Sequence, residues 1–205
     1  GGIGALHRFN TVEEACRDYL EVKKINPPAE CIVSVGVHGY KERCEELAKV
    51  GAKYFVVDIA HGHSIAMKEA LSWMKGNLRL KSGDKPYIIA GNVATPLAVR
   101  HLSAWGADIV KVGIGPGACC KTRIVTGHGV PQFSAVLDCA KEAHRLGIKI
   151  IADGGIRNSG DIVKAFAAGT DFVMLGSLLS GTKEAPGQVI TKATERGDKQ
   201  HFKVY

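Results

Sequence analysis

Six short runs of apolar and β-branched residues recur along the 205-residue chain, each separated from the next by a stretch of helical periodicity. The runs fall at residues 31–35, 54–59, 87–90, 109–112, 148–152 and 172–175. They are near-continuous rather than alternating, as expected of strands covered on both faces. Helical patterns occupy residues 11–25, 40–50, 64–75, 96–105, 133–146 and 159–168. In the first, Val12, Ala15, Cys16, Tyr19 and Val22 share one face, and Thr11 with Glu14 spells a capping box. Gly51, Gly106, Gly147 and Gly169 stand just past four of the helices, where a left-handed residue closes the last turn. Strict alternation of strand and helix predicts a parallel sheet.

Such a sheet is either doubly wound or rolled into a (β/α)8 TIM barrel. The loops decide. Polar or glycine-rich segments follow nearly every strand: Gly36-Val37-His38-Gly39, Asp58-Ile59-Ala60-His61-Gly62-His63-Ser64, Gly91-Asn92-Val93-Ala94-Thr95, residues 113–122, Asp153-Gly154-Gly155-Ile156-Arg157, and Gly176-Ser177. A barrel gathers all these strand ends at one mouth, where its enzymes place their sites. A doubly wound sheet uses a single switch point and needs no such loop at every strand. Six strands are two short of closure. Gly1-Gly2-Ile3-Gly4 reads as the loop after a strand cut away, and residues 202–205 read as an unfinished segment. The expectation is a single α/β barrel domain over residues 1–205, truncated at both ends, with about six of the eight strands.

The segment Val112-Gly113-Ile114-Gly115-Pro116-Gly117-Ala118-Cys119-Cys120-Lys121-Thr122-Arg123 concentrates the chemistry. Three glycines in five positions expose backbone groups and let a ligand approach the main chain. A thiol there is a candidate nucleophile, and the neighbouring Lys121 and Arg123 favour its thiolate. Cys119-Cys120 is not a CxxC pair, and no histidine pair stands at zinc spacing. The six cysteines are scattered, which fits reduced thiols in the cytoplasm rather than a disulfide frame. His61 and His63 invite a metal reading, but in this loop they are expected to shape the mouth by hydrogen bonding. The net charge of +7 is dispersed, without a nucleic-acid motif; it fits attraction of a phosphorylated small molecule. No apolar run approaches the ~18 residues of a membrane span, and the first residues lack the build of a signal peptide. No nucleic-acid or membrane partner is expected.

Five motifs in order resemble one family. They are Asp58-Ile59-Ala60-His61-Gly62-His63-Ser64, Ala90-Gly91-Asn92-Val93, Lys111-Val112-Gly113-Ile114-Gly115-Pro116-Gly117, Ile151-Ala152-Asp153-Gly154-Gly155-Ile156 and Val173-Met174-Leu175-Gly176-Ser177. The chain resembles the barrel domain shared by IMP dehydrogenase and GMP reductase, over essentially its whole length. The resemblance implies that Cys120 is the nucleophile attacking C2 of the purine and that Thr122 assists there. It implies that Asp153 binds the ribose hydroxyls, and that Gly155, Gly176, Ser177 and Tyr205 hold the 5′-phosphate. Asp58 would lie near the nicotinamide and Asn92 near the purine. Backbone carbonyls of Gly115, Gly117 and Cys120 would hold a monovalent cation, usually potassium (K+). Homotetramers are usual in the family. Cys119 is expected to be structural and to point away from Cys120.

Two positions depart from the pattern. The family commonly has Ser where this chain has Ala118, and Thr where it has Lys121. A lysine there would restore attraction for the phosphate as a point charge. IMP dehydrogenases usually carry a pair of CBS modules after the first helix; residues 25–30, Ile25-Asn26-Pro27-Pro28-Ala29-Glu30, leave no room for them. Leu6-His7-Arg8-Phe9, Phe133-Ser134-Ala135-Val136 and Asp171-Phe172-Val173-Met174 look like GMP reductases. Arg123-Ile124-Val125-Thr126-Gly127 and Glu184-Ala185-Pro186-Gly187 look more like dehydrogenases. The first expectation is therefore GMP reductase, deaminating GMP to IMP and ammonia through a Cys120–purine intermediate reduced by NADPH. The alternative is an IMP dehydrogenase oxidising IMP to XMP with NAD. A nucleotide-binding paralogue without turnover is the third reading.

Overall fold

The computed structural model describes residues 2–185, 187–193 and 199–204. Seven strands make one parallel sheet: β1 (Gly4–Leu6), β2 (Cys31–Val35), β3 (Tyr54–Asp58), β4 (Tyr87–Val93), β5 (Ile109–Val112), β6 (Lys149–Asp153) and β7 (Phe172–Met174). Each pairs with its neighbour in the chain, in unbroken order from β1 to β7. Helices α1 (Val12–Ile25), α2 (Tyr40–Lys49), α3 (Ile65–Asn77), α4 (Pro96–Trp105), α6 (Gln132–Leu146) and α7 (Ser159–Ala167) make the crossovers, and a short α5 (Thr122–Thr126) precedes α6. Sequential order without reversal is the order of a barrel wall, not of a doubly wound sheet.

The pleat sorts side chains by parity. Val33, Phe55, Val57, Ile88, Val110 and Ile150 face the helices and share one core with Tyr19, Leu47, Met67, Leu71, Leu102 and Cys139. The opposite parity, Ile32, Val56, Ile89 and Ile151 with Tyr54, Ile109 and Met174 against them, forms a second, smaller cluster on the concave side. Two residues further along the same face, Val56 gives way to Asp58, Ile109 to Lys111 and Ile151 to Asp153. The interior is thus an apolar floor with a charged layer at the C-terminal ends of the strands.

The helix boundaries follow their capping chemistry. The Thr11 hydroxyl accepts from the Glu14 N–H at 3.2 Å and the Glu14 carboxylate accepts from the Thr11 N–H at 2.9 Å, so the expected capping box is formed. Gly106 (φ 116°) and Gly147 (φ 72°) end α4 and α6 in the left-handed region.

One expectation needs correction, and one segment is newly placed. The sheet has seven parallel strands, not six, because Gly4 belongs to β1, which pairs with β2 through Gly4↔Cys31, Ala5↔Ile32 and Leu6↔Val33. A three-residue strand with one glycine carries no apolar run to mark it. Residues 202–204 have a place outside the main sheet. They lie in β9 (Lys199–Val204), which pairs antiparallel with β8 (Gln188–Ala193) as a separate hairpin.

Candidate active site

The charged layer is tied together by Lys111, which the sequence reading did not single out. Its side chain is 4% exposed. The ammonium donates to Asp58 Oδ1 at 2.9 Å, to Asn92 Oδ1 at 2.5 Å and to Asp153 Oδ2 at 2.5 Å. Burial works against its charge, but the carboxylates of Asp153 and Asp58, by charge and by hydrogen bond, together outweigh that and hold the Lys111 pKa above the ordinary lysine value. Asn92 Nδ2 donates in turn to the Gly113 carbonyl at 2.8 Å and to Asp153 Oδ2 at 2.9 Å. Three of the expected site residues, Asp58, Asn92 and Asp153, are therefore joined through one buried cation.

The sheet register explains how a single lysine reaches so far. Asp58 on β3 pairs with Gly91 on β4, and Gly91 pairs with Lys111 on β5. Gly91 presents no side chain between them. A Cβ at Gly91 would lie 2.5 Å from the Lys111 carbonyl oxygen and 2.7 Å from the Lys111 Cβ. The Gly91–Asn92 peptide is cis, and the β4–β5 register shifts between Gly91 and Val93.

Both bonds to Asp153 converge on Oδ2. Its Oδ1 has no hydrogen-bond partner among the described residues, and the side chain is 22% exposed. Asp153 lines a cavity of about 510 Å³ together with Gly117, Ala118, Cys119, Gly154, Gly155, Ile156, Met174, Gly176, Ser177, Leu179, Ser180 and Ala185. The loops after β5, β6 and β7 thus meet, bringing together Gly117, Asp153, Gly155, Gly176 and Ser177 of the expected set. Gln132 at the start of α6 braces this corner: its amide nitrogen donates to the Val112 carbonyl at 2.9 Å and the Asp153 carbonyl at 3.2 Å. Gln132 was also missed, since a lone glutamine before a helix carries no distinctive signal.

Cys120 sits in the loop after β5, half-buried, where its N–H donates to the Gly117 carbonyl at 3.1 Å. Its Sγ lies 3.3 Å from the Thr122 hydroxyl. Hydrogen bonding with the Thr122 hydroxyl and N–H, joined by the Gly115 N–H and the charge of Arg123, holds the thiol below the usual cysteine range, against a small opposing effect of burial. Burial pushes the thiols of Cys44 and Cys139 up to about 12. Cys119, expected to be structural, is instead exposed and lines the cavity, because the turn at 117–120 turns it outward rather than into the core. Lys121 is exposed at the N-cap of α5 and is not part of the cavity wall that holds Ala118. Tyr205 lies outside the described residues.

His63 makes a 2.8 Å hydrogen bond with His101 of α4 and lies tilted against the Trp105 ring, 5.9 Å between centroids. Desolvation, then the charges of His101 and His61, keep His63 below the ordinary histidine range. Among the described residues no three His, Cys, Asp or Glu side chains group to hold a metal ion, and no helix is long and apolar enough to cross a membrane.

The family model for the IMP dehydrogenase / GMP reductase domain matches residues 1–205. The inosine-5′-monophosphate dehydrogenase of Staphylococcus haemolyticus (strain JCSC1435) is 50% identical over 163 residues, 80% of this chain and 31% of that protein. The inosine-5′-monophosphate dehydrogenase of Nitrosopumilus maritimus (strain SCM1) is 50% identical over 173 residues, 84% of this chain and 34% of that protein. The chain therefore spans about a third of the length of these curated relatives. The crystal structure of inosine 5′-monophosphate dehydrogenase from Legionella pneumophila superposes with a TM-score of 0.80 at 42% identity, over 97% of this chain and 57% of that one. These relatives carry the name of the second expectation, the dehydrogenase, not of the reductase placed first.

Proposed function

The chain belongs to the IMP dehydrogenase/GMP reductase family, an oxidoreductase family of purine nucleotide metabolism, and on that premise we propose that it is barrel sequence of an NAD-dependent IMP dehydrogenase. The observation that carries this reading is the 50% identity to proteins named as dehydrogenases. It displaces the expectation of an NADPH-dependent GMP reductase. The dehydrogenase-like segments 123–127 and 184–187 agree with it.

Oxidising IMP to XMP replaces C2–H by C2=O, so a hydride must leave C2 and water must supply the oxygen. Cys120 adds to C2 as the thiolate, with the Thr122 hydroxyl beside the sulfur to share its proton and charge. Bound NAD supplies the hydride acceptor. Asp153 offers Oδ1 to the ribose hydroxyls, while Lys111 and Asn92 hold its other oxygen. Gly155, Gly176 and Ser177 supply main-chain N–H groups, and Ser177 a hydroxyl, to the 5′-phosphate at the loops where barrels commonly bind one; Tyr205 is assigned to the same end by resemblance. Asp58 faces the nicotinamide and Asn92 the purine. A monovalent cation, K+ in this reading, would take the carbonyls of Gly115, Gly117 and Cys120. These are hard oxygen donors suited to it, although the Gly117 carbonyl already accepts the Cys120 N–H. We assign the full protein to the cytoplasm as a homotetramer.

GMP reductase stays as a second reading on one observation. The connection from α1 to β2 is residues 26–30 alone, with no inserted module. Steady-state assays of the full-length protein separate the readings. Turnover of IMP with NAD, and none of GMP with NADPH, is the expected result; the reverse pattern establishes the reductase. Incubation with a 2-halopurine ribotide should add its purine to Cys120, seen by mass spectrometry. A protein that binds IMP but forms no adduct and turns over neither nucleotide would be the non-catalytic paralogue.

A further inference from the structure

Two cysteines are consecutive in the loop after β5: Cys119 lines the cavity, and Cys120 has its sulfur against the Thr122 hydroxyl. The other four cysteines are buried in the core or packed against it: Cys31 at 3% exposure, Cys44 and Cys139 at 0%, and Cys16 partly buried. Cys119 is different. It is exposed, belongs to no core cluster and lines the cavity with Asp153, Gly155 and Ser177. Nothing in its surroundings calls for a thiol to fill space. Its chain neighbour Cys120 follows it directly in the turn closed by the 3.1 Å bond from the Cys120 N–H to the Gly117 carbonyl.

Resting on the reading of Cys120 as the nucleophile, we propose that Cys119 is its resolving thiol: after a peroxide oxidises Cys120, Cys119 closes a vicinal disulfide onto it, so that the nucleophile is held in a reversible state. The chemistry balances in two steps. The Cys120 sulfur attacks a peroxide oxygen, the O–O bond breaks, and hydroxide leaves as the sulfur is oxidised to a sulfenic acid. The Cys119 thiolate then attacks that sulfur, the S–O bond breaks, and the oxygen leaves with a proton as water. A dithiol reductant reopens the bond and is itself oxidised to a disulfide. Without a resolving thiol, a second peroxide carries a sulfenic acid to sulfinic acid, which thiols do not reduce.

Backbone geometry sets the character of this bond. Adjacent α-carbons are about 3.8 Å apart across a trans peptide, short of the roughly 4.4–6.8 Å span of unstrained disulfides. A disulfide between neighbours is therefore strained, and strained, exposed disulfides are the readily reduced, regulatory kind. The glycine at 117 and the open cavity give the turn room to adjust.

The test uses the full-length enzyme and its Cys119→Ser variant. Each is treated with hydrogen peroxide without nucleotide, alkylated, digested with trypsin and weighed. Residues 112–121 form one tryptic peptide that carries both thiols. In the parent this peptide should be about 2 Da lighter than the dithiol and unalkylated, and dithiothreitol should restore the activity present before oxidation. In Cys119→Ser it should gain about 32 Da, and dithiothreitol should recover at most about a fifth of that variant's own starting activity. Equal recovery in both proteins, a sulfinic peptide in the parent, or a disulfide from Cys120 to any other cysteine overturns the proposal. The 2-halopurine adduct on unoxidised enzyme tests the nucleophile separately. An adduct on Cys120 without the vicinal disulfide sinks only the resolving role; no adduct on Cys120 removes both.

Discussion

Replacing Lys111 with methionine keeps most of the stem and removes the ammonium. Asp58 and Asp153 would then face each other across the apolar floor without a counter-charge, and Asn92 would lose a donor. Lys111 is buried, but Asp58 is 43% and Asp153 22% exposed, so both carboxylates keep part of their hydration. Lys111→Met should cost less than the ~3–5 kcal/mol of breaking a fully buried pair, yet lower the urea midpoint and weaken IMP binding at the same time. An unchanged midpoint by equilibrium unfolding would remove Lys111 from its central place. Cys120→Ser should behave in the opposite way. Turnover disappears while the IMP dissociation constant, by calorimetry, stays within about tenfold, because the ribose and phosphate contacts do not involve the sulfur. The two residues also differ in how readable they were. The glycine-rich loop marks the Cys119-Cys120 pair, and the family resemblance selects Cys120 of the two. Lys111 looked like one polar letter in a strand, and only the pairing of Asp58, Gly91 and Lys111 across three strands shows that it points inward between two carboxylates.

At the scale of elements, Gly91 is the gap in β4 that lets β5 and β3 share a salt bridge. Gly91→Ala places a methyl 2.5 Å from the Lys111 carbonyl oxygen, a backbone atom that cannot swing aside. It should destabilise the fold by about 1–3 kcal/mol in thermal or chemical unfolding, as overpacked sites do. The contact between α4 and α6 has a different sensitivity. Glu142, 10% exposed, accepts from Arg100 at 2.7 Å and from Arg145 at 2.8 Å, and hydrogen bonds from Arg145 and Arg100 hold its carboxyl down to about 2. A carboxyl depressed by folding stabilises above its unfolded pKa, near 4.5, and loses that contribution as pH falls toward 2. The difference in Tm between the parent and Glu142→Gln should therefore be full at neutral pH and shrink steadily below pH about 4.5. A difference independent of pH would refute the assignment. Helices were the easiest elements to read, since the Thr11 capping box and the closing glycines mark their ends. β1 escaped because it has too few apolar side chains to form a pattern, and its existence depends on an edge offered by β2.

Over the whole molecule, the alternation of strands and helices and the placement of polar loops make the barrel legible in the sequence, because each strand end must deliver its loop to the same mouth. The choice between two sister enzymes was not legible in the same way. Both use one thiol on one purine carbon, and the short α1–β2 connection describes an accessory module, not the chemistry. The buried lysine has a further consequence for how this mouth behaves in electrolyte. Dissolved ions screen charges over a distance of about 8 Å at physiological strength, but only where they have access. The counter-charge for Asp58 and Asp153 is built into the wall, 4% exposed, out of reach of dissolved ions. Among the described residues the phosphate end shows no such internal partner, and it relies on the open loops and on the chain's +7 charge. Raising salt should therefore loosen the grip on a nucleoside monophosphate while leaving that on the matching nucleoside nearly unchanged, as paired titrations would record. Equal salt slopes for the two would mean that the ribose end, too, leans on ions from solution. Otherwise the protein carries its own electrolyte where it holds the sugar and borrows the solvent's where it holds the phosphate.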